Sequence, residues 1–545
     1  MPEPGKPVER EMQAGETHVY QITLKNGEFL DAAVNQRGID VVVQVFAPDN
    51  SKVAEIDSPN GDQGDEPIRL EAKTAGVYRI EVSRFGQAKT AKSGRYEIRV
   101  NELLSPKANA KRLAELKRKQ QAVISWLKND LIPIKTVEAG NGFADLQPLK
   151  QVFRDVRFVG LGEQTHGTRE FFRFKHRMLE FLVKEMGFRV FAIEASYSAC
   201  ENINDYVMGR SDDGAKALDS QGFWTWNTEE VRAMIDWMRE YNKSVPANKK
   251  VKFVGFDIQI NKTGKTKLLE YLKRVAPERT ADAETLFKIS EEETAEAIFE
   301  QKDKDAPAKF NDLKNKYNEL LVFLDLNGAN LVAKSSQAEY ERMFELARVI
   351  AQYLDSYSYT DWRKGVATRD LYMADNLRRI VNRETANTRF VVWAHNGHIQ
   401  TGESDGYQPL GSHLRRLYGK SYYALGFSFN QGAFQAREQE PQDAGKVMLK
   451  SWSVGPAIPD SIEWYEAQTG VKSFIIDFRA VRQTAEITEW LSTPRQFRSV
   501  GSGYTPSFEA TPYPLKTLNK EFDGLFFIDT TTRARPNPSV KNVAP

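Results

Sequence analysis

"RFVGLGEQTHGTREFFRFKHRMLEFLVKEMG", residues 157–187, is an apolar run, a polar turn and a long amphipathic run in succession. "RFVGLGE" (157–163) has the unbroken apolar character of a strand covered on both faces. "REFFRFKHRMLEFLVKEMG" carries the mixed apolar and charged pattern of a helix, with Thr168 suited to its N-cap and Glu170 to its first turn. The turn between them sets Glu163 three residues before His166, in a chain with only 6 histidines among 545 residues.

The same strand-and-helix alternation recurs downstream. "FRVFAIEA" (188–195) precedes the helical "SACENINDYVMG", and "VKFVGFDI" (251–258) follows "TEEVRAMIDWMREYNKS". "RFVVWAHNGHI" (389–399) follows "ATRDLYMADNLRRIVNRE", and "YYALGFSF", "KSFIIDFR" and "GLFFIDT" are further strands. Apolar strands alternating with helices predict an α/β domain with a largely parallel, covered sheet over residues 140–530. Residues 262–358 show no strand pattern and predict a helical insertion or cap, and 531–545 read as an irregular tail.

Upstream, residues 1–101 change to short alternating runs separated by turn residues, as in "HVYQITL", "DVVVQVFAP" and "GVYRIEVSRF". These predict a small all-β sandwich. Residues 102–139 carry Leu and Ile at helical spacing among many Lys and Arg, which predicts a linker helix with a solvated charged face. A chain of 545 residues accommodates this division into more than one domain.

Composition narrows the function classes. Lys plus Arg number 76 against 74 Asp plus Glu, so the formal net charge is +2 and nothing favours nucleic acid or an anionic membrane surface. No apolar run reaches 18 residues, so no membrane-spanning helix is expected. The single cysteine, Cys200, fits no metal-ligand spacing and reads as a small buried thiol.

Function is suggested by where the polar residues fall. Four strands end in titratable groups: Glu163, Glu194, Asp257 and His395, with His398 three residues on. In an open α/β sheet the ligand crevice lies outside the carboxyl ends of the strands, so these groups and His166 are expected to meet at one edge. A histidine can take a proton from water near neutral pH while a carboxylate orients it, which makes Glu163 and His166 a candidate acid–base pair. The helix after Thr168 can turn backbone N–H groups towards the same crevice. In "AHNGH", Asn396 and the backbone near Gly397 can serve as oxyanion donors, or His395 and His398 can join the carboxylates around a divalent metal. Trp226, in "GFWTWNTEEV" (222–231), can line a pocket or pack beneath the sheet. No G-x-S-x-G elbow is present, so activated water is expected in place of a serine nucleophile.

Two resemblances add to this reading. Residues 1–101, through "GETHVYQITL", "DVVVQVFAPDNSKVAE" and "AGVYRIEVSRFG", resemble the bacterial pre-peptidase C-terminal type of domain, a non-catalytic companion of exported hydrolases. Export to a bacterial periplasm or the extracellular space is the expectation this brings, although "MPEPGKPVER" carries no signal-peptide core and a cytoplasmic location stays open. Residues 140–530, through "GLGEQTHGTREFFRFKHRMLEFLVKEMGFRVFAIEAS", "FWTWNTEEVRAMIDWMREYN", "GFDIQ", "RDLYMADNL" and "VVWAHNGHI", resemble the erythromycin esterase family, a branch of which is labelled succinoglycan biosynthesis protein.

The second resemblance implies hydrolysis of an ester, in some members the macrolactone of 14-membered macrolides, without a metal or other cofactor. It implies that His166 activates water, with Glu163, His395 and His398 as its companions. Glu194 and Asp257 are expected to orient water or neighbouring cations, with Lys175 or Arg177 pairing with them. Members that open macrolides can carry an arginine nine residues after the motif histidine; Lys175 stands there and lacks the planar fork. The expected partner is a small-molecule ester or lactone. More distant relatives of the same fold group bind haem or act as metal-dependent peptidases, and both remain alternatives.

Overall fold

The computed structural model describes the chain except residues 14, 59–60, 86–92, 290–304, 360, 404–405, 440–446, 481–483, 507–512 and 545. It divides into two compact units, residues 1–123 and 124–545.

The first unit is all-β. Its strands are β1 (Val8–Met12), β2 (Thr17–Leu24), β3 (Phe29–Arg37), β4 (Val41–Phe46), β5 (Lys52–Ile56), β6 (Gln63–Glu71), β7 (Gly76–Arg84) and β8 (Gly94–Leu104). They form two antiparallel sheets, β1-β8-β3-β6 and β2-β7-β4-β5. The alternation read from sequence is the cause: along β7, Tyr78, Ile80 and Val82 are buried while Arg79, Glu81 and Ser83 face outwards. Those three meet Leu30, Val34 and Ile98 from the other sheet in one core, which makes the pair a sandwich. A helix, Pro106–Asp130, follows β8 and runs across the boundary between the units.

The second unit is α/β around a ten-stranded mixed sheet. Its strands are β9 (Ile132–Pro133), β10 (Phe158–Leu161), β11 (Val190–Ser196), β12 (Lys252–Asp257), β13 (Phe390–Trp393), β14 (Tyr422–Glu438), β15 (Leu449–Val454), β16 (Ser473–Asp477), β18 (Gly503–Tyr504) and β20 (Gly524–Thr531); β17 (Arg495–Gln496) and β19 (Leu515–Lys516) pair apart from it. The order is β12-β11-β13-β10-β14-β20-β16-β9, parallel from β12 through β20, with β16 and β9 antiparallel at the edge. Every residue of β10, β11 and β13 is buried, which is why these strands read as continuous apolar runs. The helix Arg169–Met186 lies on the sheet, where Phe174 stacks on Phe526 with ring centroids 3.8 Å apart.

Two features shape the strand ends. β14 runs 17 residues, far past the level of Leu161, and its outer half pairs with β15 and β18. Between β12 and β13 the described residues form helices only, including Lys262–Val275, Ala306–Leu326, Gln337–Ser356 and Trp362–Asn382. No helix among the described residues is long and apolar enough to cross a membrane.

Candidate active site

β10 ends at Leu161, and the chain turns through Gly162 into Glu163 and His166. Gly162 is required by a close approach, since a Cβ there would lie 2.0 Å from the Asn396 side-chain oxygen. Glu163 is completely buried, and both its oxygens are engaged. Oε1 accepts from His166 Nδ1 at 2.7 Å, while Oε2 accepts from Lys175 Nζ at 2.5 Å and from Trp393 Nε1 at 2.7 Å. Burial works to raise the Glu163 pKa, but Lys175 and His166 outweigh it and hold the carboxyl below its usual range. Burial also pushes Lys175 down, to about 8, against the pull of Glu163.

The neighbouring strands bring the remaining groups to the same edge. A bulge in β11, where Glu194 and Ala195 lie between the paired positions Ile193↔Gly255 and Ser196↔Asp257, re-aims Glu194 at the strand end. Glu194 accepts from the His395 amide at 2.9 Å, from Arg369 Nη2 at 2.8 Å and from His398 Nε2 at 3.2 Å. Burial works against its charge, yet His398 and Arg369 hold its pKa well below the ordinary value. Asp257, at the end of β12, takes a two-pronged contact from Arg369 at 3.0 and 2.8 Å. Trp226 donates its indole N–H to the Glu194 carbonyl and sets its ring edge-on to His166, centroids 5.5 Å apart.

The two histidines after β13 differ in kind. The Nδ1 of His395 accepts from the Gly397 amide at 3.2 Å, so Nε2 carries the proton and donates to the Gln164 carbonyl at 3.4 Å. Burial, with His166 nearby, depresses its pKa to about 3, so the ring stays neutral. His398 donates from Nδ1 to Asp370 at 2.8 Å and from Nε2 to Glu194. Burial opposes its charge, but the two carboxylates raise its pKa to about 10. Arg369 Nη1 also lies 3.2 Å from Nε2; two carboxylates against one guanidinium favour the cation. Glu163, Glu194, Asp257 and Asp370 supply four negative charges against three positive from Lys175, Arg369 and His398, so the cluster is −1 while His166 is neutral.

Four expectations need correction. Arg177 does not pair with Glu194 or Asp257; its guanidinium binds the Asp145 carboxylate and the carbonyls of Thr136 and Gly142. Lys175 pairs with Glu163, over the Trp393 face at 4.0 Å, and at 0% side-chain exposure it is walled off from a ligand. An arginine fork there would compete with Trp393 for Oε2, so the lysine bears on Glu163 rather than on substrate. Asn396 is closed onto the Phe427 backbone, donating to its carbonyl and accepting from its amide, and the Gly397 amide is taken by His395; neither presents an oxyanion donor. Thr168 does occupy the N-cap position, but its hydroxyl meets Thr165, and the Arg169 amide donates to the Thr532 carbonyl rather than towards the crevice.

Arg369 and Asp370, both absent from the sequence-derived site, carry its electrostatics. A signal for Asp370 existed, since it falls on the stripe of Met373, Ala374 and Leu377 at helical spacing, where an aspartate is out of place. Among the described residues no group of three or more His, Cys, Asp or Glu side chains is arranged to hold a metal ion.

Comparison with known proteins places this site in context. The family model described as "Erythromycin esterase" matches residues 183–531, and that of the "Bacterial pre-peptidase C-terminal domain" matches 16–84. Glu163 and His166 precede the first of these spans. An "Erythromycin esterase type II" from Escherichia coli is 26% identical over 430 residues, covering 75% of this chain and 97% of its own. The crystal structure of a succinoglycan biosynthesis protein superposes with a TM-score of 0.61 at 23% identity, over 77% of this chain and 99% of that one. An erythromycin esterase mutant in its open conformation gives 0.55 at 16% identity, over 73% and 96%. At those identities the two structures speak for the fold.

Proposed function

The chain belongs to the erythromycin esterase family and on that footing is a hydrolase, from which we propose that it cleaves a carboxylic ester or lactone with water activated by His166. One observation carries the reading. Of the six ring nitrogens of His166, His395 and His398, Nε2 of His166 is the one without a protein partner among the described residues. Its other nitrogen donates to buried Glu163, so Nε2 holds the lone pair that accepts a proton.

The reaction follows from these positions. Nε2 of His166 takes a proton from water, and the oxygen attacks the ester carbonyl carbon. Glu163 fixes the tautomer and stabilises the imidazolium, as does the net negative cluster behind it. His395, neutral and 5.0 Å from His166 between ring centroids, can turn its loosely held Nε2–H from Gln164 to the developing oxyanion. Collapse breaks the C–O bond, and His166 returns its proton to the leaving alkoxide, giving an acid and an alcohol. The pre-peptidase C-terminal match of the first unit supports an exported hydrolase.

The test is a mass-spectrometric screen of macrolides and other lactones for the gain of one water. His166→Ala is expected to lower turnover of any accepted substrate about 10²–10⁴-fold, the usual range for a general base, in a chain that circular dichroism shows to be folded. A variant as fast as the parent chain excludes the mechanism.

A further inference from the structure

The segment after β20 reads from sequence as an irregular tail, and the erythromycin esterase match ends at 531, where it begins. It makes no strand, yet its backbone is engaged at almost every step. Thr532 accepts from the Arg169 amide and donates its own amide and hydroxyl to the Glu170 carboxylate at 2.7 and 2.5 Å. Arg533 bridges Thr168, and the Ala534 amide donates to the Gly167 carbonyl at 2.9 Å. At the next residue the partners change. The Arg535 amide donates to Glu230 at 3.1 Å and its carbonyl accepts from Glu229. Asn537 pairs with Asn227 twice, amide to carbonyl at 3.0 Å and side chain to side chain at 2.8 Å, and Asn227 donates to Ser539 Oγ at 3.0 Å.

These two sets of partners belong to two segments that meet at His166 and that Arg169 and Glu230 also join, Nε to Oε1 at 3.0 Å. One is the turn that carries His166; the other is the loop carrying Trp226, whose ring stands against the His166 imidazole. The loops are about 60 residues apart in sequence, and the eight residues 532–539 of the tail contact both. Pro536 and Pro538 fix φ at two positions of the segment, which reduces the entropy lost on laying it down.

We propose that residues 532–539 form a bracket that holds His166 at its distance from Trp226, making Asn537 a positioning residue for the reaction. This rests on the reading of His166 as the base. A bracket acts on the orientation of the base, so its loss lowers kcat and leaves KM nearly alone.

The experiment compares five chains on p-nitrophenyl acetate: the full chain, Asn537→Ala, Asn537→Gln, a chain ended at Thr531 and a chain ended at Ser539. Amide hydrogen exchange over 163–172 and 226–231 is followed in each. The Asn537→Ala chain and the one ended at Thr531 are expected to lose about tenfold in kcat with KM within twofold. Exchange in both loops should rise in these two, and Asn537→Gln should restore part of the rate. The chain ended at Ser539, which keeps every contact of the bracket with the two loops, should match the full chain. A folded Asn537→Ala with parental kcat overturns the proposal, as does faster exchange with no loss of rate. If His166→Ala proves fully active, the base assignment has failed; exchange then decides the bracket alone, with unchanged protection in Asn537→Ala overturning it.

Discussion

His398 and Lys175 are two buried cations of the same site, and their surroundings move them in opposite directions. His398 lies between Asp370 and Glu194 and its pKa rises to about 10; Lys175 has one carboxylate and two aromatic faces, and burial brings it down to about 8. The consequences for stability differ in sign. Between 6.5 and 10 folded His398 keeps a proton that the unfolded chain releases, so its contribution is full below 6.5 and is lost as pH rises. Between 8 and 10.5 folded Lys175 has released a proton that the unfolded chain keeps, so stability is regained there. The His398 contribution is therefore read between 6.5 and 8 as a difference between two chains. The parent chain is expected to lose stability across this interval more steeply than His398→Gln, the difference in slope approaching about 1.4 kcal/mol per pH unit. Urea denaturation at pH 6.5 and 8 measures this, and other groups cancel between the two chains. Equal slopes would mean that His398 is not the cation.

At the scale of elements, the helix Trp362–Asn382 crosses the ends of β11 and β12 and delivers Arg369 to Glu194 and Asp257. Arg369 is the cation these two buried carboxylates share. Arg369→Met should therefore cost about 3–5 kcal/mol of unfolding free energy, because it strands buried charge, and adding Asp257→Asn should recover part of it. Denaturant midpoints of the single and double variants decide; strictly additive losses would argue against the pair. The same helix marks the limit of what sequence discloses. Glu163, Glu194, Asp257 and His395 were legible because a covered parallel strand is an apolar run, and the first polar residue after it announces the strand end. Lys175 and Arg177 were not separable by type, but they sit two positions apart on one helix and so face different ways, one to Glu163 and the other to Asp145. Arg369 meets Asp257 across 112 residues of chain, through a crossover whose course depends on packing of the intervening helices. The outer half of β14 and its partners β15 and β18 also form only through long-range pairing. The bulge that aims Glu194 depends on β12 as much as on β11.

For the whole molecule, the two units have separate cores. Val43, Ile80, Val82 and Ile98 belong to one, and Leu161, Phe172, Trp393 and Phe526 to the other, with no residue in common. Every group of the candidate site, from Glu163 to His398, lies in residues 124–545, and so does the bracket at 532–539. The two ends of the chain should therefore be unequal in the reaction. A chain beginning at Pro106 keeps the entire helix Pro106–Asp130 and loses all eight strands of the sandwich. It keeps the second core whole, and a core of its own is what lets a unit fold alone. Its kcat and KM on p-nitrophenyl acetate are expected to stay within about twofold of the full chain, since no reacting or positioning group is lost. Removing residues 532–545, a far shorter piece, is expected to cost about tenfold in kcat, because orientation of the base is lost. Circular dichroism and size-exclusion chromatography establish that each shortened chain is folded before rates are compared. A folded chain from Pro106 that has lost kcat would place the β unit in the reaction itself, and the site would have to be redrawn to include it.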